Sequence, residues 1–202
     1  CEHGLLKASP DNRMARRFLG LKAFKEGRGA EGEDHLKATA VNPIGELTAN
    51  VARAWLKQSE GKTKEATDLL DQPKQPDWAQ RFYRYHKALL LDVAGKSGEA
   101  RAVYDRAYKS DGAVLRSTLA YAQHLSNSGD AKTAISVLKA NLDRAKGDGH
   151  PSVRALLQQI ESGEVSQLLV SNANQGMAEL FFGLGEALTG EGGIGPGAMF
   201  LQ

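Results

Sequence analysis

The sequence predicts an all-α chain of antiparallel helix pairs, and three observations carry that prediction. Apolar residues keep helical spacing in two neighbouring stretches: Phe82, Tyr85, Ala88, Leu89 and Val93, then Ala100, Val103, Tyr104, Ala107 and Tyr108. Between them Gly95 and Gly98 flank Lys96-Ser97, a break too short for anything but a helix hairpin, with Ser97 placed to cap the second helix. The frame then recurs at an interval of 34 residues. Gly95 maps onto Gly27, Gly61 and Gly129; Ala88 onto Gly20, Ala54 and Ala122; Ala100 onto Gly32, Ala66 and Ala134; Tyr104 onto Leu36, Leu70 and Leu138. The small residues are where two helices are expected to approach closely.

In chain order, residues 1–10 read as the end of a preceding helix. Pro10 stands 34 residues before Ile44 as if closing an earlier repeat, so the chain is expected to be a piece cut from a longer one rather than to begin naturally at Cys1. The first full repeat, 13–46, opens on a helix Arg13–Glu26 capped by Asp11 or Asn12, packs closely at Leu19-Gly20, and has a second helix anchored by Leu36 and ending near Ala40. In the second, 47–80, Asn42-Pro43 is a cap-and-start pair for a helix to Ser59, and Thr63 starts a helix through Leu70. Pro73-Lys74-Gln75-Pro76 ends it as an inter-repeat loop, and Asp77 with Gln80 forms a capping-box pattern ahead of the third repeat, 81–114. The fourth, 115–148, turns at Gly129-Asp130. A degenerate unit at 149–176 keeps Pro151 as a helix start and Gly163 in phase but loses the alanine signature. A partial unit at 177–202 holds a helix Met177–Leu188 and a glycine-rich stretch from Gly190 to Gly197.

A helix–turn–helix unit of this period, with a small residue midway along the first helix, glycine at the turn and alanine plus a large residue in the second, resembles the tetratricopeptide repeat family, in particular longer chains of bacterial type. The resemblance covers about three quarters of the chain. It implies a right-handed superhelical solenoid in which each repeat buries its apolar face only against its neighbours. It also implies a scaffold, not an enzyme, that binds an extended or helical peptide of a partner protein along the concave face of the first helices. The competing reading is a structural or self-assembling module whose groove is filled by the rest of its own chain or by another copy. Family likeness does not choose between them.

Composition narrows the function classes. Charged residues make up 25% and hydrophobic residues 41%, which excludes a largely disordered chain. Lys and Arg number 26 against 24 Asp and Glu, for a net charge of +2, and the signs are interleaved, so nothing points to nucleic acid. Cys1 is the single cysteine, which excludes an intrachain disulfide and a cysteine-based zinc site. No run reaches the roughly 18 apolar residues of a membrane span, and cytoplasm and periplasm both fit.

Apparent catalytic motifs fail on context. Gly190, Gly192 and Gly195 spell a dinucleotide fingerprint, but a helix precedes them where a strand is required. Gly61-Lys62-Thr63 and Gly95-Lys96-Ser97 copy the end of a phosphate loop, yet its first glycine falls at Leu56 and Leu90, inside helices. The five histidines have no metal-binding spacing, and no nucleophile elbow exists. No cofactor, metal or catalytic residue is therefore expected.

What remains is a groove. The family resemblance places Arg17, Val51, Tyr85 and Leu119 in one concave row and Leu21, Trp55, Leu89 and Gln123 in the next. These rows lack the Lys/Asn pattern by which some relatives clamp acidic peptide C-termini. Trp55, Phe82 and Tyr85, flanked by Phe24, are expected to stand in the concavity as the partner's anchor, since aromatic side chains are the usual interface hot spots. Arg17 and Arg116, with Gln123 and Asn127, are expected to add orienting polar contacts. The plainer alternative is that Trp55 and Phe82 only pack between repeats.

Overall fold

The computed structural model describes residues 12–72, 74–111, 114–145 and 147–189. Among them there are ten helices and no strand: α1 Arg13–Lys25, α2 Gly29–Lys37, α3 Pro43–Ser59, α4 Thr63–Leu70, α5 Asp77–Val93, α6 Ser97–Asp111, α7 Leu115–Asn127, α8 Ala131–Arg144, α9 Pro151–Glu161 and α10 Ala173–Thr189. The all-α expectation holds, and most boundaries fall within two or three residues of those read from sequence. Ser97 is the first residue of α6 rather than its cap. The Asn12 side chain accepts from the Ala15 N–H at 2.9 Å, and that of Asn42 accepts from Gly45 at 2.7 Å ahead of Pro43. Cys1, Pro10 and the Gly190–Gly197 stretch lie outside the described residues.

The 34-residue interval is written into the backbone. Gly27, Gly61, Gly95, Gly129 and Gly163 all have φ between 70° and 88°, where a side chain is strained. At each, the glycine N–H bonds the carbonyl three residues back, and the next N–H reaches five residues back: Arg28 to Ala23, Lys62 to Lys57, Lys96 to Leu91, Asp130 to Leu125 and Glu164 to Gln159, at 2.8–3.2 Å. This pair of hydrogen bonds satisfies carbonyls that a helix end leaves open, and the left-handed glycine reverses the chain. Four of the five turns lead straight into a second helix. After Gly163 none follows, because the alanine and leucine that would seat it are replaced by Leu168 and Asn172.

Two compact units result, one of the described residues up to Tyr83 together with those from Asn172 onward, the other from Arg84 to Ser171. In the first, α1 pairs with α2 and α3 with α4, α2 rests on α3, and α10 also rests on α3. Gly20 and Gly32 bring α1 and α2 together: a Cβ on Gly20 would stand 3.0 Å from Leu36 Cγ, and one on Gly32 3.2 Å from the Gly20 carbonyl. In the second, α6 packs on α7, α7 on α8, and α9 on both α7 and α8. The repeated small positions Ala54, Ala66, Ala88, Ala100, Ala122 and Ala134 are all buried, as are Leu36, Leu70, Tyr104 and Leu138.

Charge ties α2 to α3. The Glu33 carboxylate accepts from Lys57 at 2.8 Å, Arg53 at 2.9 Å and Lys37 at 3.1 Å. Partial burial works to raise its pKa, but the three cationic donors outweigh that and hold it down to about 2. Its stabilisation is therefore complete above the ordinary carboxylate range and is lost as pH falls through about 2.

Two stability measurements check this packing. Ala122→Leu should lower stability by about 1–3 kcal/mol in denaturant titration, whereas Ala88→Leu, whose methyl borders a recess, should cost less. Glu33→Gln should destabilise by on the order of 1 kcal/mol at neutral pH, after allowing for solvent screening of the pair, and by nothing at pH 2. An unchanged midpoint for Ala122→Leu contradicts the close approach.

Candidate functional site

α3 forms because Asn42 and Pro43 start it and because Leu47, Val51, Ala54 and Trp55 recur on one side at helical spacing. All four are buried, and the Trp55 ring is 0% exposed. What covers it is α10. An ideal Cβ on Gly176 would stand only 2.4–2.5 Å from the ring atoms Cδ2, Cε2 and Cε3 of Trp55, so the helix backbone lies directly on the indole. Seven residues on, a Cβ on Gly183 would stand 3.1 Å from Phe82 Cε2. Between the two glycines Leu180 is fully buried, and Met177 and Glu179 are buried beside it. Gly176, Leu180 and Gly183 are spaced i, i+4, i+7 and so share one face of α10.

This corrects the expectation that Trp55 is offered to solvent. It lies under a segment more than a hundred residues downstream. Phe24, 9% exposed, is part of the buried core of the same unit, and Phe82 is half-buried beside Gly183. Arg17 lies on α1, and its side chain is outside the described part. Val51, Leu89 and Leu119, expected to line a groove, are closed into helix contacts instead.

The other predicted residues belong to the second unit. Tyr85 is half-buried, its ring edge-on to His86 with centroids 5.4 Å apart. It borders a recess walled also by Tyr104, Tyr108, Tyr121 and Thr118. Tyr104 stacks on Tyr121 at 5.6 Å, and their hydroxyls donate to Asp92 and Asp105 respectively. Burial and the acceptor Asp105 both push the Tyr121 phenol up. Asp92 also takes the His124 Nδ1 at 2.6 Å, which binds α5, α6 and α7 at one buried carboxylate. His124 Nε2 makes no hydrogen bond among the described residues.

Arg116 is half-buried on α7. Gln123 is half-buried, with its Oε1 enclosed. Asn127 does make an orienting polar contact, but with the chain itself: its Nδ2 donates to the Ser166 carbonyl at 3.3 Å, while the Ser166 N–H donates to Ser126 Oγ at 3.0 Å. Ser166 and Val170 are buried, so the non-helical stretch 164–171 is fastened onto the second unit by its backbone. Sequence reasoning missed Ser126, Ser166, Gly176 and Gly183. The last two left a signal, since glycine inside a helical pattern is disfavoured and marks close packing.

His86 gives the second unit a pH dependence. It is fully buried, and loss of hydration pushes its pKa down to about 3. Unfolded, it takes a proton near pH 6.5. Below that pH the unfolded chain binds a proton that the folded chain does not, so stability falls as pH drops from about 6.5 toward 3. The loss attributable to His86 is about 2 kcal/mol between pH 7 and pH 5, at about 1.4 kcal/mol per unit. Stability curves at the two pH values should converge for His86→Leu relative to the parent; an equal slope in both contradicts the burial account.

Compared with known proteins, the chain matches no family model, no curated protein and no solved structure.

Proposed function

We propose that this chain is a tetratricopeptide-like protein-interaction module. Its first unit binds a helical protein segment on the face of Trp55 and Phe82, and α10 of the same chain occupies that face. The arrangement of repeats as a right-handed solenoid is part of this reading, and the five identical turns at one interval support it. The observation that carries the functional part is the seating of Gly176 on the Trp55 ring. Aromatic anchors in a contiguous apolar face are the usual means by which a groove holds an amphipathic helix. Here two of the anchors predicted for a partner, Trp55 and Phe82, lie against a helix of the same chain.

The self-filled reading is favoured over an open scaffold by a second contact of the same kind. The stretch 164–171 lies on the second unit through main-chain hydrogen bonds to Ser126 and Asn127, which is how a receptor holds an extended peptide. Both segments come from the end of the chain that has lost the repeat signature. The role is one of binding, without catalysis, cofactor or metal.

Leu180→Asp tests the reading in the full chain. An ionised carboxylate in place of a fully buried leucine should expel α10. In a Trp78→Phe background the emission of Trp55 should then shift to longer wavelength. A synthetic peptide of residues 172–189 should bind and reverse the shift. Unchanged emission, or no saturable binding of the peptide by a variant whose emission has shifted, contradicts the proposal.

A further inference from the structure

Three of the seventeen residues of α10 are glycines at 176, 183 and 185, and each weakens a helix relative to alanine. They do not stand in equivalent surroundings. A Cβ on Gly185 would meet open space within 4 Å, one on Gly183 would press the Phe82 ring, and one on Gly176 would overlap three ring atoms of Trp55. The Trp55 ring is fully enclosed and cannot move aside as the tip of a flexible side chain could. Glycine at 176 is thus a requirement of the fit, and glycine at 185 is not.

From this contrast we infer that Gly176 and Gly183 determine what the Trp55–Phe82 face accepts. The partner class is a helix presenting Gly-x-x-x-Leu-x-x-Gly, with glycines seven residues apart over the two rings and a leucine between them. The inference rests on the proposed helix-binding reading and adds its selectivity. Helices with alanine or larger at the first position are rejected by the indole, and the second glycine is the more tolerant, because Phe82 is half-buried and has a contact of 3.1 Å to relieve. A helix from another protein that takes this face in place of α10 carries the same pattern. The selectivity is by exclusion, since the rings leave no volume for a Cβ.

Two single substitutions in the full chain separate fit from helix propensity, because propensity predicts the same sign for both and the fit predicts opposite signs. Gly185→Ala should slow amide hydrogen exchange in α10, by up to about fivefold from the alanine-for-glycine preference. Gly176→Ala should accelerate it by roughly tenfold or more, as expected for overpacking of a core contact. In the Leu180→Asp chain, the 172–189 peptide should restore Trp55 emission at concentrations at least tenfold lower than the same peptide carrying Gly176→Ala, with the Gly183→Ala peptide between them. Slowed exchange in both full-chain variants, or equal binding of the two peptides, overturns the selectivity while leaving the helix-binding face intact. If Leu180→Asp leaves Trp55 emission unchanged, the helix-binding reading itself falls. If that variant does not fold, the opposed exchange rates of Gly176→Ala and Gly185→Ala in otherwise unaltered chains decide the matter alone.

Discussion

The left-handed glycine is the constraint on which the rest of this molecule depends. Each of the five turns demands φ near +70° to +90° at one residue, and only there does the chain double back tightly enough to lay one helix along the previous one. Once the reversal is fixed, the positions that touch follow from helical geometry. The small residue midway along the first helix meets the small residue at the start of the second, and the large residue one turn later closes the pair. Gly20 with Gly32 is the extreme case, where absent side chains let backbone approach backbone. The last turn shows that reversal alone is insufficient. Gly163 makes the same hydrogen bonds as the others, but Leu168 stands where an alanine is needed, and the chain runs on without a second helix.

What was legible in the sequence follows the range of the interactions involved. Turns, caps and the helix pairs they join are local, so Gly95 and its equivalents, Asn42-Pro43 and Pro151 could be read from neighbouring letters. The burial of Ala54, Ala88 and Ala122 was legible because the period repeats it. The fate of Trp55 was not. Its position on the first helix of a repeat was correctly placed, yet whether the side of that helix bearing it meets water or another helix depends on residues 173–189, outside the period. Nothing local says where an aperiodic helix docks. The same holds for Asn127, whose polar role was anticipated but whose acceptor, the Ser166 carbonyl, belongs to a stretch with no repeat register.

Polar groups are placed where apolar packing alone would leave the pairing of helices loosely specified. Glu33 gathers three cations from α2 and α3, and Asp92 gathers a hydroxyl and an imidazole from α6 and α7. Glu33 joins consecutive helices that no turn glycine links, and Asp92 adds α7 to the pair α5 and α6 already joined at Gly95. The turn specifies the partner within a repeat, whereas the contact from one repeat to the next is made by side chains, and a buried polar contact admits fewer alternative registers than leucine against leucine. His86 has the opposite effect. Its burial pushes the imidazole's pKa down, and so adds an acid-sensitive point to an otherwise ordinary core.

If the Trp55–Phe82 face binds a helix as proposed, the energetics of α10 bear on how that face can be filled and still serve a partner. Three glycines in its interior weaken the isolated helix by on the order of 2–3 kcal/mol relative to alanine, so the helix depends on its docked contacts to persist. Among those contacts are the buried Leu180 and Met177, each contributing about 2 kcal/mol by area, with the two glycine–ring contacts adding shape rather than surface. A segment with strong internal propensity would be held whether or not it fitted. One that folds only where it fits opens at a lower free energy than the periodic core beneath it. Covalent attachment compensates, since a tethered helix competes at an effective concentration on the order of millimolar. On the proposed reading, a partner helix must then exceed α10 in affinity by the ratio of that concentration to its own. It can do so without new contacts on the receptor, by keeping glycine over Trp55 and Phe82 and placing better helix formers at the outward positions such as 185, where α10 itself carries a glycine that the fit does not require.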